Sequence, residues 1–96
     1  MNMLNTFENL VELQNDTVKK ALKRRADAKS KIDESKKRIF EFAKNVHDVN
    51  EGDMDTLFNL LDFRIDDYAN AVKWLAIEER NLERYTERLL QEHTNG

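Results

Sequence analysis

Two histidines, His47 and His93, and two serines, Ser30 and Ser35, are the side chains that could run acid–base or nucleophilic chemistry here. A serine nucleophile needs a base within hydrogen-bond reach. Both serines instead lie in a lysine- and arginine-rich stretch with no histidine near them in sequence. His47 sits close to the one clear turn signal and His93 close to the end of the sequence, so a hairpin holds them at opposite ends. Neither histidine stands in a Glu-x-x-His pair of the di-iron bundle kind, nor in His-Glu-x-x-His. The chain has no cysteine, which removes disulfides, thiolate metal sites and a cysteine nucleophile. We therefore expect a protein that is not an enzyme, with no cofactor, no metal and no small-molecule substrate.

The segment "HDVNEGDMD", from His47 to Asp55, is acidic enough to raise calcium. Counted from Asp48, its Gly52 falls at the fifth loop position and Asn59 at the twelfth. An EF-hand needs glycine at the sixth and glutamate at the twelfth, so the pattern fails.

The stretch "KKALKRRADAKSKIDESKKR" is the other chemical signal. Residues 19–38 hold ten Lys/Arg against three Asp/Glu. Phosphate-backbone contacts through Lys19, Lys20, Lys23, Arg24, Lys31 and Arg38 would make a nucleic-acid-associated protein, an alternative reading. Such binding favours cations gathered on one face. Here they are spread around a helix, and no aromatic interleaves to stack a base. Residues 41–96 carry thirteen acids against six bases. Attraction between the basic and acidic segments is thus available within the molecule. Glu78, Glu79, Glu83 and Glu87 alternate with Arg80, Arg84 and Arg88. That pattern reads as a solvated, ion-paired face, and only weakly as a mimic of DNA.

The elements that must position these side chains are helices. With 96 residues, two glycines and no proline, the chain is one domain, residues 1–96, poor in breakers. No apolar run approaches the ~20 residues of a membrane span. "MNMLNTFENLVEL" has neither the basic start nor the apolar run of a signal peptide, so a cytoplasmic location is expected. Alternating steps of three and four from Leu4 pass through Phe7, Val11, Gln14, Val18, Ala21, Arg25, Ala28, Ile32, Ser35, Ile39 and Phe42, on to Val46 and Val49. From Met54 the same steps give Phe58, Leu61, Ile65, Tyr68, Val72, Leu75, Glu79, Leu82, Thr86 and Leu89. Residues 50–53, "NEGD", separate the two runs.

The fold expected is all-α: an antiparallel helical hairpin with coiled-coil-like packing. A first helix would span about residues 5–48 and a second about 55–93, with Asp53 or Asp55 as the second helix's cap. The alternative is a three-helix bundle, in which the first helix breaks near Gln14–Thr17 and Asp16 caps the next helix. A two-helix pair buries only one seam, so self-association into an oligomer is expected. Arg25 and Glu79 each interrupt a stripe and would face each other as a polar pair in the seam.

Phe63, Trp74 and Tyr85 recur every eleven residues, which returns a straight helix to within ~20° of the same direction. With Ile77 they would line the side of the second helix away from the seam. That side is the expected interaction surface, since aromatic side chains dominate interface hot spots. The chain matches no family pattern we recognise. The reading is a small protein–protein interaction module of inhibitor or adaptor type, phage-encoded ones included, that binds through helix faces. A purely structural oligomeric coiled coil is a further alternative.

Overall fold

The computed structural model describes residues 3–45 and 51–95. The chain is an all-α antiparallel hairpin of two long helices, α1 (Met3–Asn45) and α2 (Glu51–Asn95). Among the described residues there is no strand, and no helix is long and apolar enough to cross a membrane.

Helix α1 runs unbroken through Gln14–Thr17, so the three-helix alternative does not hold. Three side-chain hydrogen bonds engage these polar residues without interrupting it. The Thr17 hydroxyl donates to the Leu13 carbonyl one turn back, at 3.0 Å. The Gln14 amide finds partners across the seam: it donates to the Glu78 carbonyl at 3.0 Å and to the Glu78 carboxylate. Asp16 is exposed within the helix and caps nothing.

Helix α2 starts earlier than expected. It begins at Glu51, so Gly52, Asp53 and Asp55 lie inside its first turns and the "NEGD" turn is helical from its second residue. The first four amides of a helix lack intrahelical acceptors in any case, so glycine there weakens little. Thr56 anchors that turn, its hydroxyl donating to the Gly52 carbonyl at 2.9 Å. The expected end of the first helix at residue 48, with Val46, His47, Asp48, Val49 and Asn50, lies outside the described residues.

The hairpin divides into two compact units, Met1–Lys23 with Lys73–Gly96, and Arg24–Val72. In the first unit, Val18, Ala21 and Leu75 form a small buried cluster, and Trp74 and Leu82 pack against it. Gln14 and Glu78 bond one another beside it. In the second unit the buried residues are small: Ala28, Ser35 and Ala71. An alanine in a two-helix pair reaches 1% exposure, as Ala71 does, only where the facing backbone comes close. An ion pair joins the two helices of this unit, Arg24 to Asp67 at 2.6 Å.

The α1 stripe buries or half-buries the expected residues from Leu4 to Phe42, with one exception: Arg25 is exposed. The α2 stripe is corrected at every second position. It passes through Met54, Leu57, Leu61, Arg64, Tyr68, Ala71, Leu75, Glu78, Leu82, Tyr85 and Leu89. Leu61, Tyr68, Leu75, Leu82 and Leu89 were expected. Phe58, Ile65, Val72 and Glu79 were expected too, but they are exposed, each displaced by the residue before it. Thr86 is half-buried beside Tyr85, its hydroxyl turned back to the Leu82 carbonyl. The physical reason is that α2 carries two neighbouring apolar columns. Turning it by one residue seats the Trp74 indole on the Val18–Ala21–Leu75 cluster, which removes more apolar area from water than a valine or isoleucine would.

Candidate interaction surface

Among the described residues the side chains nominated for chemistry do not assemble. Among the described residues no group of three His, Asp or Glu converges as a metal site would require. Ser35 is buried in the helix–helix seam and Ser30 is exposed. His93 is exposed near the end of α2, and His47 lies outside the described residues.

The aromatic line divides as well. Phe63 is exposed in the second unit. Trp74 is half-buried against the core cluster of the first unit. Tyr85 is half-buried in the seam position itself, and Ile77 is exposed. So Phe63, Trp74, Ile77 and Tyr85 do not form one free face. An eleven-residue repeat drifts by only ~20° in a straight helix, but by about 50° against a seam that recurs every 3.5 residues. Two such steps carry the line from the outside of α2 into the seam.

Tyr85 and Phe7, one from each helix, line a surface hollow of about 370 Å³ with Arg84, Glu87, Arg88 and Gln91. The Arg88 guanidinium lies over the Phe7 ring at 5.6 Å, so the cation and the ring satisfy each other within the chain. A second hollow of about 350 Å³ is lined by Arg38, Glu41, Phe42, Asn45 and Leu57.

All six basic side chains proposed for phosphate contact are exposed. Lys19, Lys20 and Lys23 belong to the first unit, and Arg24, Lys31 and Arg38 to the second. The last three recur every seven residues along one side of the seam. Arg24 is already engaged by Asp67, the one ion pair among the described residues. The alternating Glu and Arg side chains of α2 therefore form no ion-paired ladder. Arg25 and Glu79 are both exposed, and they fall in different units. The charged residues in the α2 seam stripe include Arg64 and Glu78, and Gln14 is the partner of Glu78.

Within the second unit the charges of the two helices are complementary. Residues 24–45 hold eight Lys/Arg against four Asp/Glu, and residues 51–72 hold six Asp/Glu against one Arg. Both halves of the first unit are close to neutral. The complementarity read from the sequence is thus concentrated where Arg24 meets Asp67.

A different apolar feature emerges in that unit. Phe58, Ile65 and Val72 are 46%, 44% and 39% exposed and stand seven residues apart on α2. The Arg24–Asp67 pair marks one side of the seam, and half-buried Leu60 lies on the same side. The Phe58–Ile65–Val72 row therefore lies on the other. Lys29 and Lys36 are the charged α1 residues of this unit that flank the seam on that side. Asp55 and Asp62 border the row on its outer edge, one turn from Phe58 and Ile65. All four are exposed, and none forms an ion pair among the described residues. Sequence reasoning missed this row because it assigned those three residues to the core. The signal was the second apolar column on α2, which a single partner helix cannot cover.

These features place the chain in the broad class of two-helix hairpins that present apolar helix faces. Compared with protein-family models, curated proteins and solved structures, it matches none.

Proposed function

We propose that this protein is a non-enzymatic protein–protein interaction module that binds through a helix face. The observation that carries the reading is the row of Phe58, Ile65 and Val72, three large apolar side chains left in solvent beside a well-formed seam. Full burial of such a side chain is worth about 1.5–3 kcal/mol, and at 39–46% exposure somewhat under half of that is still to be gained by covering each one. A row at constant heptad spacing differs from scattered surface hydrophobes, because one partner surface can cover all of it. The site replaces the Phe63/Trp74/Ile77/Tyr85 face as the contact surface. An inhibitor or adaptor that works by occupying a partner's surface, at a cytoplasmic location, fits a chain of this size. The basic segment supports phosphate binding less well, since its exposed cations divide between two units and Arg24 is engaged.

The test compares the native chain with a Phe58→Ser/Ile65→Ser/Val72→Ser chain, both shown to be helical by circular dichroism. Each is used to capture proteins from cells, and each is titrated with duplex DNA at low and moderate salt. The reading expects protein partners, a separately tagged copy of this chain expressed in those cells among them, that are held by the native chain and lost from the substituted one. It also expects little DNA binding. Partners indifferent to the three substitutions, or DNA affinity that falls steeply with salt, would replace it with the phosphate-binding alternative.

A further inference from the structure

The exposed row sits between charges of opposite sign, and this arrangement selects its occupant. We infer that the face formed by Phe58, Ile65 and Val72 docks a second copy of this chain, with a two-fold axis running along the helices. The inference rests on the interaction reading above and names the partner. Across the face the order is fixed: Lys29 and Lys36 on the α1 side, the apolar row in the middle, Asp55 and Asp62 on the outer edge of α2. A two-fold axis parallel to the helices reverses that order in the facing copy. The apolar row then meets its own counterpart, and the two lysines of each copy stand opposite the two aspartates of the other. A two-fold axis across the helices would keep the order and set lysines against lysines, which opposes docking. The axis along the helices makes the interface self-complementary, as an isologous contact must be. In that pairing the α2 helices run parallel.

Surface area is sufficient for such a contact. The chain exposes 7434 Å². A compact monomer of this mass exposes about 5,800 Å². The excess, roughly 1,600 Å², leaves room for the ~800 Å² that each partner buries in a standard interface. Among the described residues no side chain larger than alanine is fully buried, so the pair of helices alone makes a thin core.

The test uses two charge-reversed chains, Lys29→Glu/Lys36→Glu and Asp55→Lys/Asp62→Lys. All four positions are exposed, so each chain keeps its fold, which circular dichroism checks. Mass is measured by light scattering after size exclusion, from low-micromolar to sub-millimolar protein. We expect a dimer for the native chain and dissociation constants raised at least ~30-fold for each reversed chain alone. An equimolar mixture of the two should return to a dimer containing one of each, because every lysine–aspartate pair is then restored in reversed form. The native sequence has no cysteine. A Val72→Cys chain should therefore oxidise to a disulfide-linked dimer, as only the parallel pairing brings the two copies of position 72 together. A native chain that stays monomeric overturns the assignment of a second copy. So does a larger assembly, or a dimer insensitive to all four reversals. If the native chain is monomeric but still captures a partner through the apolar row, the interaction reading stands and the self-docking inference alone has failed.

Discussion

Replacing Leu75 with alanine tests the packing frame of the first unit, with Ile77→Ala as its control. Both residues are apolar and lie two positions apart on α2, yet Leu75 is 3% exposed and Ile77 is 52% exposed. Leu75 packs with Val18 and Ala21, under Trp74 and Leu82. Removing its isopropyl group loses the burial of those carbons and leaves a cavity. Buried Leu→Ala changes cost about 2–5 kcal/mol, and the lower half applies here because half-buried neighbours can relax into the space. Ile77→Ala should stay within about 0.5 kcal/mol, the range for surface changes. The assay is urea unfolding at one fixed protein concentration, followed by helix ellipticity and by emission of Trp74, the only tryptophan. With a slope of about 1 kcal/mol per molar urea, Leu75→Ala lowers the midpoint by about 2–3 M and Ile77→Ala barely moves it. Native Trp74 emission should be blue-shifted and should red-shift in the Leu75→Ala chain even before unfolding. Equal losses for the two substitutions would refute the assignment of Leu75 to the seam and of Ile77 to the surface.

Three further measurements check other parts of the structure. Ala71→Leu should destabilise by about 1–3 kcal/mol through overpacking, with Ala69→Leu on the exposed side as a neutral control in the same thermal melt; a stabilised Ala71→Leu chain would mean that the α2 frame is set otherwise. Gln14→Ala should cost about 1 kcal/mol in chemical unfolding, since it removes the donor to the Glu78 carbonyl and carboxylate. A double-mutant cycle on Arg24 and Asp67 should give a coupling of about 0.2–1 kcal/mol that fades in salt, because the pair is partly exposed; a large coupling that resists salt would make it a buried anchor.

How much was legible differs between the two helices. On α1 the apolar positions form one narrow stripe in a polar, strongly charged background. Its periodicity therefore named the buried residues from Leu4 to Phe42, and only exposed Arg25 departs. Gln14 read as a weak point only because its partner, Glu78, is 64 residues away. On α2, pairs such as Leu57/Phe58, Arg64/Ile65, Ala71/Val72 and Tyr85/Thr86 offer two neighbouring columns, and the more apolar column was the natural choice. Of the residues expected to form the interaction face, Phe63 and Ile77 are exposed and Trp74 and Tyr85 are half-buried, and the row of Phe58, Ile65 and Val72 is a further apolar feature.

The sequence by itself determined the helical class and the concentration of opposite charge on the two chain segments. These come from local propensity, the shortage of breakers and composition, all of which act along the chain. Only the tertiary structure decided which side of α2 faces α1. That choice depends on how close two backbones come at Ala28, Ser35 and Ala71, and on where the Trp74 ring finds cover. Both are properties of two surfaces meeting, and a column of residue types on one helix does not contain them.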